Sequence, residues 1–418
     1  MSTGGAEIRR STLPGGLRVV TEAMPHLRSV AVGFWVAAGA VDEPDPLLGA
    51  SHFLEHLLFK GTPRRSAADI ARAVEEVGGD MNAFTTQEYT AYHVRMPDHH
   101  LAEAVDVLSD VMWSPAFRPD ELEAERQVIL EEIRMRDDDP DDVVHELADA
   151  ALFAGHRLGR SVLGTGETIR AMRRDDLVEY HERHYRPANV VVAAAGNLDH
   201  DTVVRLVADR LPDRPGDPSE HEDAPLGPPR TRALQRRPTE QAHMVLAMRA
   251  IPRDDPDRYA LAVLNQAIGG GMSSRLFQEV RERRGLAYAV YSYRAAYRHT
   301  GELAVYAGTA PDRAAETLRV IRGELAEIAA AGLDPDELDA AKGHLRGATA
   351  LALESSSSRM HRIGRAELTL GEVPSLDELD AAVAAVGAPD VARVIGRVLR
   401  TPERALAVVG PLGDDDLD

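Results

Sequence analysis

The feature that most restricts the fold is an echo of the chain within itself. A strand-like run ending at Met96-Pro97-Asp98 leads into a helical stretch, and Ala310-Pro311-Asp312 repeats that transition 214 positions later. Ala242-His-Met-Val-Leu-Ala-Met is again a strand-like run placed before a helical one, Tyr259 to Ile268. Similarity at a fixed offset marks a duplicated unit. The chain has 418 residues and a mass of 45.4 kDa, too much for one ordinary core. Two copies of one α+β unit are therefore expected, each a sheet backed by helices. They would span 1–211 and 232–418, the second ending in a short acidic tail, with a Pro-, Gly- and charge-rich linker at 212–231.

One copy carries a chemical signature that the other lacks. Gly49-Ala-Ser-His52-Phe-Leu-Glu55-His56-Leu-Leu-Phe-Lys-Gly61 reads as a short amphipathic helix closed by a glycine. Residues three and four apart share a helix face, so His52, Glu55 and His56 converge while Phe53, Leu54, Leu57 and Leu58 cover the opposite side. Two imidazoles one turn apart can hold a single Zn²⁺, and a carboxylate between them can take a proton from the metal-bound water. Short patterns of this kind also arise by chance, and paired helix histidines are commonly plain surface or core residues. A third ligand would decide. The proline-opened helical run from Pro119 to Ile133 supplies many carboxylates.

The spacing H-x-x-E-H is the inverted zincin motif. With Asn82-Ala-Phe-Thr-Thr and Glu125-Arg-Gln-Val-Ile-Leu-Glu-Glu132, it resembles the pitrilysin-type zinc peptidases. Among them the chain is most similar to the catalytic subunit of mitochondrial processing peptidase and its bacterial homodimeric relatives. The resemblance implies a zinc-dependent endopeptidase that cleaves peptides or unfolded segments inside a clam-like chamber, each domain having a mostly antiparallel sheet. In that family the third ligand is a glutamate 76 positions after the second histidine, which is Glu132 here. By the same resemblance Glu125 supports the site, Glu55 is the general base, and Asn82, Ala83 and Phe84 form an edge segment that pairs with substrate. Arg281 and Tyr288 match an arginine and a tyrosine that hold substrate near the scissile bond. Long family members contain two such halves and this chain is one half long, which implies a homodimer with sites completed in trans. A dedicated presequence-type processing enzyme and a non-catalytic scaffold subunit are the alternatives.

Composition narrows the partners. A net charge of −20 and a pI near 5.3 argue against nucleic acid and mildly favour basic ligands. Without cysteine, any zinc must be held by histidine and carboxylate, and a reducing cytoplasm is the expected location. No apolar leader and no uninterrupted run of ~18 apolar residues is present, so no membrane partner is expected. His93 reads as a packed or exposed strand histidine, Gly164-Thr-Gly-Glu-Thr168 as a loop, Gly269-Gly-Gly271 as a flexible entrance loop, and Asp137 to Asp142 as a solvated turn.

Overall fold

The structure, a computed structural model, describes residues 7–214, 216–218 and 224–417. Parts of three expected segments lie outside the described residues: the first six residues, positions 215 and 219–223 of the linker, and Asp418 of the acidic tail. Among the described residues no helix is long and apolar enough to cross a membrane.

The β-branched and aromatic runs form two sheets. The first contains β1 (Ile8–Thr12), β2 (Arg18–Ala23), β3 (Ser29–Val36), β4 (Asp80–Thr85), β5 (Thr90–Pro97) and β6 (Val190–Gly196), in the order β1-β2-β6-β3-β5-β4. The second contains β7 (Arg232–Arg236), β8 (Ala242–Ala250), β9 (Ala287–Ala296), β10 (Gly301–Thr309) and β11 (Arg404–Gly410), in the order β7-β11-β8-β10-β9. Removing β1 leaves the two orders identical strand for strand. The one parallel pairing in each, β2 with β6 and β7 with β11, falls at the same place. The fold class is therefore the expected one: two α+β units, each with a mostly antiparallel sheet backed by helices.

Packing does not follow chain order. One compact unit comprises Met1–Ile133, Ser161–Asp223 and Ala352–Val373; the other comprises Arg134–Arg160, Ala224–Leu351 and Pro374–Asp418. Each unit thus takes one helix from the other half of the chain, and alternation along the strands explains why. Val30, Val32, Phe34 and Val36 of β3 face the main core of the first unit, whereas Ala31 and Trp35 face the opposite way, against Met360 and Ile363 of helix Ser356–Leu370. A sheet apolar on both faces needs cover on both. Gly364 permits the close approach, since a Cβ there would stand 2.2 Å from Trp35 Nε1. The same helix places Arg359 and Arg362 on Glu22, a buried carboxylate of β2, the second contact at 3.1 Å. In the second unit, helix Pro140–Leu152 packs on β11 and β8; its His145 ring stacks on Tyr306 of β10 at 5.4 Å, and His145 Nδ1 lies 2.8 Å from the Tyr293 hydroxyl.

Two local expectations are corrected. The acidic run at Asp137 to Asp142 is a junction of helices: Pro119–Asp138 ends, and Asp139 caps Pro140–Leu152 by accepting from the Asp141 N–H at 2.9 Å. Acidic residues favour a helix start, where the amides are unpaired and the dipole is positive. Gly166–Ala171 is likewise a short helix, opened by a Thr165/Thr168 capping box that the loop reading overlooked.

In the second unit the half-buried Asp149 lies against the fully buried Glu302. Burial pushes Asp149 up to about 6, and burial together with Asp149 holds Glu302 well above the carboxylate range. Both folded values exceed the unfolded ones, so the pair's stabilisation is fully present below pH ~4 and is lost as pH rises through about 6. Thermal melts of wild type are expected to show a component of Tm that falls between about pH 4 and 6. Asp149→Asn should flatten it; identical slopes would contradict the assignment.

Candidate metal centre

The helix Ala50–Leu58 is fixed at its start before it offers anything to a metal. Its N-cap is Gly49, which has no side chain to accept the first free amides. Glu43 takes that role from six residues upstream, accepting from Gly49 N–H and Ser51 N–H, each at 2.7 Å. Burial pushes Glu43 up to about 8, with the two backbone bonds pulling the other way. Gly49 itself sits at φ 93°, and a Cβ would meet the Leu163 carbonyl at 2.7 Å. Phe53, Leu54, Leu57 and Leu58 are all buried, which turns His52, Glu55 and His56 to the other side.

The partner face comes from helix Pro119–Asp138, where Glu125 and Glu132 are two turns apart. His52 Nε2 and His56 Nε2 each lie 3.6 Å from one carboxylate oxygen of Glu132. One donor atom from each of His52, His56 and Glu132 lies within 4.8 Å of the other two, and these residues are the one such group found among the described residues. Zn²⁺ bonds of ~2.0–2.1 Å at tetrahedral angles place donors roughly 3.4 Å apart. The observed spacing fits. Glu131, the neighbour of Glu132, does not belong to the cluster.

The surroundings tune these donors. Glu125 lies 3.0 Å from His56 Nδ1 and is paired with Lys60 at 2.7 Å. With the proton on Nδ1 donated to Glu125, His56 keeps its Nε2 lone pair toward Glu132. Burial favours the carboxylic acid form of Glu125, but the bonds from His56 and Lys60 outweigh it and hold its pKa below the usual range. Burial lowers His56, yet Glu125, Glu132 and Glu55 raise it overall. His52 is pulled down to about 4 by burial and then by His56, so it stays a neutral donor. Its Nδ1 is buried with no hydrogen-bond partner among the described residues. Burial raises Glu55, opposed by the Thr85 hydroxyl, which donates to it at 2.6 Å.

Residues 18–166 match the family described as Insulinase (Peptidase family M16), and residues 171–345 match Peptidase M16 inactive domain. The chain belongs to the M16 peptidase family. It is 47% identical to an uncharacterized zinc protease of Streptomyces coelicolor, over 98% of this chain and 91% of that protein. It is 46% identical to one of Mycobacterium tuberculosis, over 97% of this chain and 93% of that protein. In fold it is similar to a protease from Helicobacter pylori, with a TM-score of 0.91 at 22% identity, covering 97% of this chain and 100% of that one. The M16 family relationship makes zinc the cofactor, and His52, His56 and Glu132 are the residues that could hold it.

The other expected M16 positions are spread more widely. Asn82, Ala83 and Phe84 lie on β4, an edge strand paired with β5 alone. Phe84 packs its ring among Trp35, Tyr89 and His361, the Trp35 centroid at 5.7 Å. His93 meets His361 edge to face, with ring centres 4.6 Å apart, and is not a member of the metal-ligand cluster. Arg281 and Tyr288 belong to the second unit, where the guanidinium lies 5.0 Å from the Tyr288 ring centre. They line a cleft of about 430 Å³ with Gln241, Leu286 and Arg313. Tyr288 is 78% exposed, an unusual state for so large a ring. Sequence reading missed Glu43 and Thr85. The uncapped glycine before the helix is the signal that called for Glu43; Thr85 had none, because only the chain's path brings it to Glu55.

Removing the Glu125 carboxylate leaves His56 without its orienting acceptor. Glu125→Ala is expected to weaken zinc binding by roughly 10–100-fold, measured by chelator competition. Unchanged affinity would show that Glu125 acts on folding alone.

Proposed function

We propose that this M16 protein is a zinc-dependent endopeptidase that cuts peptides or unfolded polypeptide segments within a closed chamber. The observation that carries the reading is the convergence of His52 Nε2, His56 Nε2 and Glu132 beside the half-buried carboxylate of Glu55. Zinc, when bound there, supplies a Lewis acid that polarises a peptide carbonyl and acidifies water. Glu55 removes a proton from the attacking water and delivers it to the departing amine. Burial raises its pKa, which brings a carboxylate nearer the working pH and makes it a better proton shuttle. Asn82 and Ala83 offer the open edge of β4 to an extended substrate, a mode that reads backbone more than side chain and so tolerates many sequences. Arg281 and Tyr288 are donors suited to a developing oxyanion and neighbouring carbonyls. We place the enzyme in the cytoplasm, consistent with its cysteine-free composition.

We further infer a homodimer, the second domain of one subunit shaping the substrate space of the other. The ligands lie in one unit and the Arg281/Tyr288 pair in a different one, and the second unit carries no metal cluster among its described residues.

Glu55→Gln is expected to keep its zinc and lose nearly all turnover of an unstructured peptide, because the ligands stay while the base is gone. His52→Ala, His56→Ala and Glu132→Gln should each lose zinc and activity together. Full turnover by Glu55→Gln would refute the mechanism.

Mixing Glu55→Gln with Arg281→Ala/Tyr288→Phe tests the assembly. Each is expected to be inactive alone, and subunit exchange should restore part of the activity, since one site of each mixed dimer is intact. A fully active monomer, or no rescue despite proven exchange, would exclude completion in trans.

A further inference from the structure

β4 is an open edge, and its last residue, Thr85, reaches the base of the proposed reaction. The Thr85 hydroxyl donates to Glu55 Oε2 at 2.6 Å, and the Thr85 backbone N–H acts on the same carboxylate. Two residues earlier, the Ala83 N–H donates to Asn82 Oδ1 at 2.8 Å. Residues two apart in a strand turn their amides to the same side. The Ala83 and Thr85 amides therefore lie on one side of β4: the first is covered by a displaceable side chain, the second faces the Glu55 carboxylate.

This arrangement has a mechanical meaning. A carboxylate attached by a flexible side chain on one helix would otherwise rotate freely in χ, and a proton shuttle must be held to within a fraction of an ångström. The strand that presents amides to a substrate backbone is also the strand that holds this carboxylate. Resting on the peptidase reading above, we propose that Thr85 is a positioning residue. It fixes one oxygen of Glu55, leaves the other to take the proton, and ties the base to the edge on which the substrate lies. Substrate backbone and base are thus placed by one strand, in a constant register.

The test is a pair of substitutions at one position. Thr85→Val keeps the shape and removes the donor; Thr85→Ser restores the donor with less bulk. With an unstructured peptide, Thr85→Val is expected to lose kcat on the order of 10–100-fold with KM changed less than about threefold, the loss of one bond to a charged group. Thr85→Ser should retain kcat to within about threefold. Zinc affinity by chelator competition should be the same in all three proteins. Peptide affinity, measured by fluorescence anisotropy, should not differ between Glu55→Gln and Glu55→Gln/Thr85→Val. Full kcat in Thr85→Val, equal damage in Thr85→Ser, loss of zinc, or a loss confined to KM would each overturn the role of Thr85 while leaving the peptidase reading intact. An active Glu55→Gln protein would overturn both.

Discussion

The hydrogen bond between His56 and Glu125 is the contact on which the candidate site depends. It joins two helices 69 positions apart in the chain and orients an imidazole while doing so. Glu125 is buried, so its charge must be matched, and His56 and Lys60 match it from the same short helix. Once the helices are locked side by side in this register, Glu132 is carried two turns along to the two Nε2 atoms with no further adjustment. The clamp at the other end of the short helix is Glu43, which fixes where its first turn begins. A nine-residue helix has little stability of its own, and these two buried carboxylates replace what length would have supplied.

Duplication explains how one fold holds a reactive centre and a structural counterpart. The strand orders match, yet among the described residues the group able to hold a metal lies in the first copy alone. The corresponding edge in the second copy, β9, carries Tyr288, whose ring and Arg281 partner face a cleft. The helices exchanged between halves follow from the same symmetry. The first sheet is apolar on both faces and the second carries polar groups such as Glu302 on one of them; in each unit the helix on that further face comes from the other half of the chain.

Much of this was legible in the sequence, because it rests on local patterns. The strand-like runs ending at Asp98 and starting at Ala242 correspond to β5 and β8, the stretch Tyr259 to Ile268 lies in helix Arg258–Gly269, and H-x-x-E-H fixed which helix face bears donors. Glu132 is a different case. Glu131 and Glu132 are chemically alike, and only family spacing separated them before the structure put Glu132 at the histidines. What could not be read depends on the path of the chain. Glu22 under Arg359 and Arg362, Asp149 against Glu302, and Thr85 against Glu55 all join positions far apart in sequence by contacts that no periodicity announces. The acidic stretch near Asp139 was misread for a related reason: charge density suggests solvent, but the same carboxylates are what a helix start favours.

A single zinc ion held by His52, His56 and Glu132 is the state on which the proposed chemistry rests. Anomalous diffraction from crystals of the zinc-loaded protein, collected on both sides of the zinc absorption edge, locates that ion. A single strong peak per chain is expected, ~2.0–2.2 Å from His52 Nε2, His56 Nε2 and a Glu132 oxygen. A peak elsewhere, or none at these residues in a protein that carries zinc, would contradict it.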